Sequence, residues 1–239
     1  MNETYVQRMR VTFRTEDTVK YVGHLDMFRA WERAIRRARL PLAYTQGFNP
    51  QPRMQFAAAL PVGFTGEGEV VDIFLNDAVA PEELLDRLSA ALPPGIRPLA
   101  AAPVPREWPS LQSQVRGADY RVEVETVDGD DAFAARLGAF LERPEAWRSR
   151  RKGKEVARYD LRPLVHDLRH TGRTAFGHAF QVIMRAEPGA TGRPDELLAE
   201  LGFEAAPRRV IRLALHFGDA PEGSRVTPAG LSDNPPPAD

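Results

Sequence analysis

No cysteine occurs anywhere in the chain. That excludes disulfides, cysteine-ligated zinc, an iron–sulfur cluster and a thiol nucleophile supplied by this chain. Net charge is almost absent as well: 32 Lys and Arg stand against 33 Asp and Glu. Whole-molecule charge therefore selects no partner, and a surface for nucleic acid or membrane has to come from local clustering. Long apolar runs are missing too. No stretch reaches the roughly 18 apolar residues that span a bilayer. The opening MNETYVQRMRVTF is charged throughout and lacks the apolar core of a signal peptide. The expectation is a cytoplasmic protein with no membrane contact.

Sharp catalytic signatures are also lacking. There is no Walker loop, GxGxxG, GxSxG or HExxH. No motif assigns the chain a cofactor or a metal of its own. Among the histidines, His166 and His170 stand at i,i+4. On a helix that spacing puts both on one face, where they either hold a metal or form a solvated pair.

What the chain does have is an ordinary globular composition, 43% hydrophobic and 27% charged over 239 residues. That suffices for one large domain or two small ones. Residues 5–14 alternate with β-branched and aromatic side chains and read as a strand. Residues 24–39 read as a helix, with Met27, Phe28, Trp31, Ala34, Ile35 and Ala38 on one side and Arg29, Arg33, Arg36 and Arg37 on the other. Residues 42–45 and 70–75 read as strands. A helix starts at Pro81 with acids in its first turn, and residues 96–104 close the set. The order is β-α-β-β-α-β.

The second half repeats it. Residues 119–127 and 176–186 alternate as strands, 131–141 reads as a helix, 147–151 as a short strand and 209–217 as a closing strand. Pro194-Asp-Glu-Leu-Leu echoes Pro81-Glu-Glu-Leu-Leu, each before a final strand. The predicted fold is α+β: two tandem ferredoxin-like modules, 1–106 and 118–218, related by a pseudo-twofold. A linker is expected at 107–117 and a disordered Pro- and Gly-rich tail at 219–239.

Between the helix and the final strands of the second half lies RSRRKGKEVARYDLRPLVHDLRHTGR. It contains Arg148, Arg150, Arg151, Lys152, Lys154, Arg158 and Arg162. It reads either as a solvated excursion from the sheet or as a polyanion-binding arm. Arg162 precedes a proline, which restricts it. In the first half, PVGFTGEGEV suggests a hairpin turn at its glycines. His24 and Asp26 open the arginine-faced helix. They are the weak catalytic candidates, with helix capping or packing as the alternative for His24.

The segment YTQGFNPQPRMQFAAALPVG is long, proline-rich and nearly uncharged. Tyr44, Gln46, Asn49, Gln51 and Arg53 offer hydrogen bonds, and Tyr44, Phe48 and Phe56 offer apolar faces. It reads as a binding loop for a base, a peptide edge or a flat cofactor, or as a clasp with Phe48 and Phe56 in the core.

From HLD through YTQGFNP, PR, ALPVG and GE-x-x-D the chain resembles the radical-SAM-linked family, a domain of unknown function. The later YDLRP and RPDELL segments resemble it more weakly. The likeness runs from about residue 5 to residue 217. It implies a companion, a cobalamin-binding radical-SAM protein encoded alongside or fused, and it hands over no catalytic residues. Relatives often carry His at the place of Gln51, which argues against a metal or proton-transfer role there. The functional expectation is a noncatalytic partner of a radical-SAM enzyme that binds the enzyme's substrate, with RNA favoured. An RNA-processing or modifying enzyme in its own right and a protein-docking module without nucleic acid are the alternatives.

Overall fold

A computed structural model describes residues 5–152 and 155–218. The first half runs β1 (Gln7–Thr15), α1 (His24–Arg37), β2 (Met54–Phe56), β3 (Thr65–Leu75), α2 (Pro81–Ala91) and β4 (Ile96–Val104). A short α3 (Leu111–Gln114) leads directly into β5 (Val115–Val124) and α4 (Asp130–Leu141). Then come β6 (Trp147–Lys152), β7 (Glu155–Asp160), β8 (Val165–Arg173), β9 (His178–Glu187), β10 (Ala190–Thr191), α5 (Pro194–Glu200) and β11 (Arg208–Phe217).

This is a mixed α+β protein built on one large sheet. Its path is β10-β9-β5-β11-β3-β1-β4, with β2 added to β3 and β8 to β9. The first half contributes antiparallel strands in the order β4-β1-β3-β2, and the second contributes β11-β5-β9-β8. The two blocks join where β11 runs parallel to β3 at Ile211↔Thr65 and Arg212↔Gly66. A pseudo-twofold would join like edges. Here the closing strand of the second block meets the β3 edge of the first, with strand directions kept. The halves therefore repeat by a step along the sheet, and the expected twofold relation is corrected.

Each block buries one face against its helices. In β1, Met9, Val11 and Phe13 pack with Val71 and Ile73 of β3 against Trp31 and Ile35 of α1 and Leu84 and Leu88 of α2. In the second block, Tyr120, Val122, Phe180 and Val182 pack against Phe133 and Leu137 of α4 and Leu197 of α5. Strand alternation then sends Arg8, Arg10 and Asp72 to the opposite face. There they are buried all the same. The Asp72 carboxylate accepts from Arg8 Nε at 2.9 Å and from Arg10 Nε at 2.9 Å. Arg8 also donates to the carbonyls of Trp108 (2.7 Å) and Pro109 (2.9 Å). Arg10 lies between the rings of Trp108 and Phe217, at 5.5 and 5.3 Å.

The segment expected to be a linker, 107–117, is thus α3 plus the start of β5, clamped onto the first block by two buried guanidiniums. Other sequence expectations shift similarly. Residues 42–45 form no strand; they supply isolated bridges, Leu42↔Leu75 and Tyr44↔Pro52. Beyond 147–151, the basic excursion is strand as well. It holds the β6–β7 ribbon and all of β8, which pairs with β9. The tail at 219–239 and Lys154 lie outside the described residues.

The glycines of PVGFTGEGEV have a role the hairpin reading missed. A Cβ on Gly66 would stand 2.4 Å from the Glu69 side chain, and one on Gly68 would stand 2.6 Å from the Leu213 carbonyl oxygen. Both sit in β3 where β11 comes alongside: Gly66 leaves room for the Glu69 side chain that pairs with Arg212, and Gly68 leaves room for the β11 backbone itself. Because the Gly68 clash is with backbone, it cannot be relieved by a side-chain rotation. Gly68→Ala is expected to cost about 1–3 kcal/mol, the range of overpacking. Thermal melting reads it, and an unchanged Tm would mean the junction is loose.

Candidate functional site

Above the β11–β3 junction, on the helix-bearing face, the two blocks leave a cleft of about 920 Å³. Residues 58–61 form the first-block wall. The sheet supplies Tyr120 and Arg212, the β6–β7 ribbon supplies Arg150 and Tyr159, and the start of α5 supplies Arg193. Much of the remaining lining is alanine, glycine and proline, and those small side chains create the space.

The charges in the cleft are ordered. Arg212 is buried and paired bidentately with buried Glu69, with Nε donating to Oε1 at 2.8 Å. It also donates to the carbonyls of Ala58 and Ala59, at 3.0 and 3.2 Å, which fixes the first-block wall. Arg150 grips Glu196 with two bonds, of 2.9 and 2.6 Å, and Arg148 reaches Glu200 at 3.0 Å. These pairs dock the ribbon on α5. Burial, the largest single influence, pushes the Glu196 carboxyl up, but the hydrogen bonds from Arg150 and Tyr159 and the nearby arginine charges together outweigh it, and the net shift is downward. Burial, followed by the neighbouring Glu196, pushes the Tyr159 phenol up to about 12. Burial also raises Tyr120. Both phenols are therefore protonated donors at neutral pH. Arg193 is exposed, and among the described residues its guanidinium has no hydrogen-bond or ion-pair partner. The cleft thus offers small apolar walls and an available cation, over a floor in which both phenol groups are tucked away from the surface.

The sequence candidates are spread over several places. His24 lines a separate small cavity of about 30 Å³ with Lys20, Thr15 and Glu69, and its ring meets Phe56 edge-on at 5.5 Å. Asp26 instead faces solvent and pairs with Arg29 at 3.2 Å. Arg33, Arg36 and Arg37 are exposed along α1. Arg162 donates to the carbonyls of Leu141 (3.1 and 2.9 Å) and Val165 (2.9 Å), so it ties the end of α4 to β8. Arg151 and Lys152 belong to β6. His166 and His170 lie on strand β8, where four residues span about 13 Å, so the shared helix face expected for them does not exist. His170 meets buried His178 instead, at 3.1 Å.

The loop at 44–53 is neither purely a clasp nor part of the cleft. Thr45 N donates to Gln51 O at 2.8 Å, and Gln51 N donates to Thr45 Oγ1 at 2.9 Å. This closes the base and carries Gln46, Gly47, Phe48 and Asn49 on an exposed tip. Phe48 is fully exposed, whereas Phe56 is in the core. Arg53 is half-buried over the Tyr5 ring at 5.1 Å, with Arg106 at 5.2 Å from the same ring.

Composition and periodicity missed the cleft residues Tyr120, Tyr159, Arg193 and Arg212. The signal that could have found two of them was in plain view. Tyr159 opens YDLRP and Arg193 opens RPDELL.

Fold and cleft together define an α+β protein with a broad groove at the seam between two sheet blocks. The chain belongs to the family described as an uncharacterized protein conserved in bacteria, DUF2344, which matches residues 8–194. No curated protein matches the sequence. A chain in the crystal structure of a Cbf5-Nop10-Gar1 complex shares the fold at a TM-score of 0.50 and 11% identity, over 87% of this chain and 48% of that one. The present chain therefore spans about half the length of that neighbour, and the likeness concerns fold alone. No described helix is long and apolar enough to cross a membrane.

Proposed function

We propose that the protein is a noncatalytic RNA-binding partner of a radical-SAM enzyme, and that the seam cleft holds the RNA. One observation carries the reading. Three segments that carry the family resemblance, ALPVG, YDLRP and RPDELL, are far apart in sequence and line this one cleft through Ala59, Tyr159 and Arg193. Its chemistry suits a nucleotide strand: room for flat bases between small side chains, and arginine for phosphate. The radical-SAM companion rests on the resemblance of the HLD-to-GE-x-x-D region. On this reading the two sheet blocks, each with its split β-α-β order, are tandem ferredoxin-like modules, and the cleft is their shared groove. A noncatalytic role fits the separation of His24 from Asp26.

Binding of a fluorescein-labelled oligouridylate, followed by anisotropy, tests it. Affinity is expected to fall steeply with salt, each phosphate contact contributing about -0.7 to the log–log slope. Arg193→Ala is expected to flatten that slope by about one contact and weaken binding by about tenfold, or ~1.4 kcal/mol. Wild-type binding that ignores salt, or an Arg193→Ala variant that binds normally, would remove RNA from the cleft.

A further inference from the structure

The β6–β7 ribbon is packed on one face only. By register, positions 148, 150, 157 and 159 share a face. On it, Arg148 and Arg150 engage α5, while Arg150, Ala157 and Tyr159 line the cleft. A ribbon docked on one side ordinarily turns polar side chains to water. This one exposes two large apolar side chains beside the polar Ser149 and Arg158: Trp147 is 48% exposed and Val156 is 67% exposed. The other two tryptophans are placed differently. Trp31 is buried in the core, and Trp108 is half-buried beside Arg10. Trp147 does not stand bare, however. The Arg158 guanidinium lies over its indole, 4.4 Å from the ring centroid.

The segment around it is cationic on balance, although Asp160 stands directly across the ribbon from Trp147. Residues 147–160 contain six Lys and Arg (148, 150, 151, 152, 154 and 158) against two acids, Glu155 and Asp160. Among the described side chains of this segment, Arg148 and Arg150 are neutralised by α5 glutamates.

We infer that Trp147, braced by Arg158, is a stacking platform for an unpaired base of single-stranded RNA, on the far face of the ribbon that walls the cleft. The inference rests on the RNA reading above. Trp and Arg alone would suit a protein interface as well; the excess of six Lys and Arg over two acids in this segment is what favours a polyanion. A base stacks on an exposed indole whatever its identity, and the adjacent guanidinium serves the neighbouring phosphate. A strand leaving the cleft past the ribbon would meet both.

The reporter is built in. Titrating the full chain with oligouridylate is expected to quench the Trp147 emission, leaving that of Trp31 and Trp108 as background. Trp147→Ala is expected to lower affinity about tenfold with an unchanged circular dichroism spectrum. Trp147→Phe is expected to keep most of the affinity while abolishing the quench. Heparin, a polyanion without bases, is expected to compete without quenching. If oligouridylate binds by anisotropy but Trp147 emission and Trp147→Ala affinity do not change, the platform is overturned and the RNA reading stands. Equal quenching by heparin would reduce the site to a charge patch and overturn stacking. If the wild type fails to bind oligouridylate even at low salt, the RNA reading itself fails and the platform goes with it.

Discussion

Replacing Asp72 by alanine is expected to lower the unfolding free energy by about 3–5 kcal/mol, the cost of removing one partner from a buried ionic cluster. Its carboxylate is the single anion between the two buried guanidiniums of Arg8 and Arg10. Without it, two like charges face each other in a dry site. The remaining partners are carbonyls, Gln114 and the rings of Phe74, Trp108 and Phe217. Those partners also hold 105–114 against the first block, so the loss should loosen the join between the halves. Urea denaturation measures it through the midpoint at constant slope. Asp72→Asn keeps the shape and an acceptor oxygen and should recover part of the loss. A midpoint that does not move in Asp72→Ala would show that the cluster contributes nothing to the join.

The second large effect separates the two phenylalanines that the sequence placed side by side. Phe56→Ala is expected to cost about 3–5 kcal/mol, as for other buried phenylalanines. Its ring packs edge-on against Phe13 (6.0 Å), Trp31 (6.2 Å) and His24 (5.5 Å), so truncation opens a hole between α1 and the sheet. Phe48→Ala, at the fully exposed tip, is expected to change stability by no more than about 0.5 kcal/mol. Thermal and urea unfolding of the two variants compare them directly. Equal destabilisation would mean the loop folds back onto the body of the protein. The clasp reading, with both Phe48 and Phe56 in the core, holds for Phe56 alone.

Much of the fold was legible from local pattern. The amphipathic stripe of α1 was readable because Trp31, Ala34 and Ile35 recur at helical spacing and are in fact buried. The Pro81 and Pro194 helix starts were readable because proline and early acids suit a first turn. Strand alternation marked β1, β3, β9 and β11 to within a few residues at most ends, though β3 begins five residues earlier than the pattern suggested. The basic excursion was misjudged because β6, β7 and much of β8 are polar strands. Their pairing comes from backbone neighbours, and the ribbon is docked by Glu196 and Glu200, which lie 46 and 52 residues beyond Arg150 and Arg148. Residues 42–45 carried a strand pattern but find only bridge partners.

The sequence by itself determined the composition class, the absence of thiol chemistry and most of the periodic elements, because each follows from residue type or short-range spacing. Tertiary structure alone decided the rest. It joined the halves edge to edge by a step in place of a twofold, with Gly68 leaving room on β3 for the backbone of β11. It turned the supposed linker into a clamp, because strand alternation sends Arg8, Arg10 and Asp72 to the face that the 105–114 segment covers. It assembled the cleft from Ala59, Tyr159, Arg193 and Arg212, whose separation in sequence hides any short-range signal. Long-range ion pairs such as Arg212 with Glu69 depend on which strands become neighbours, and that is settled only when the whole sheet closes.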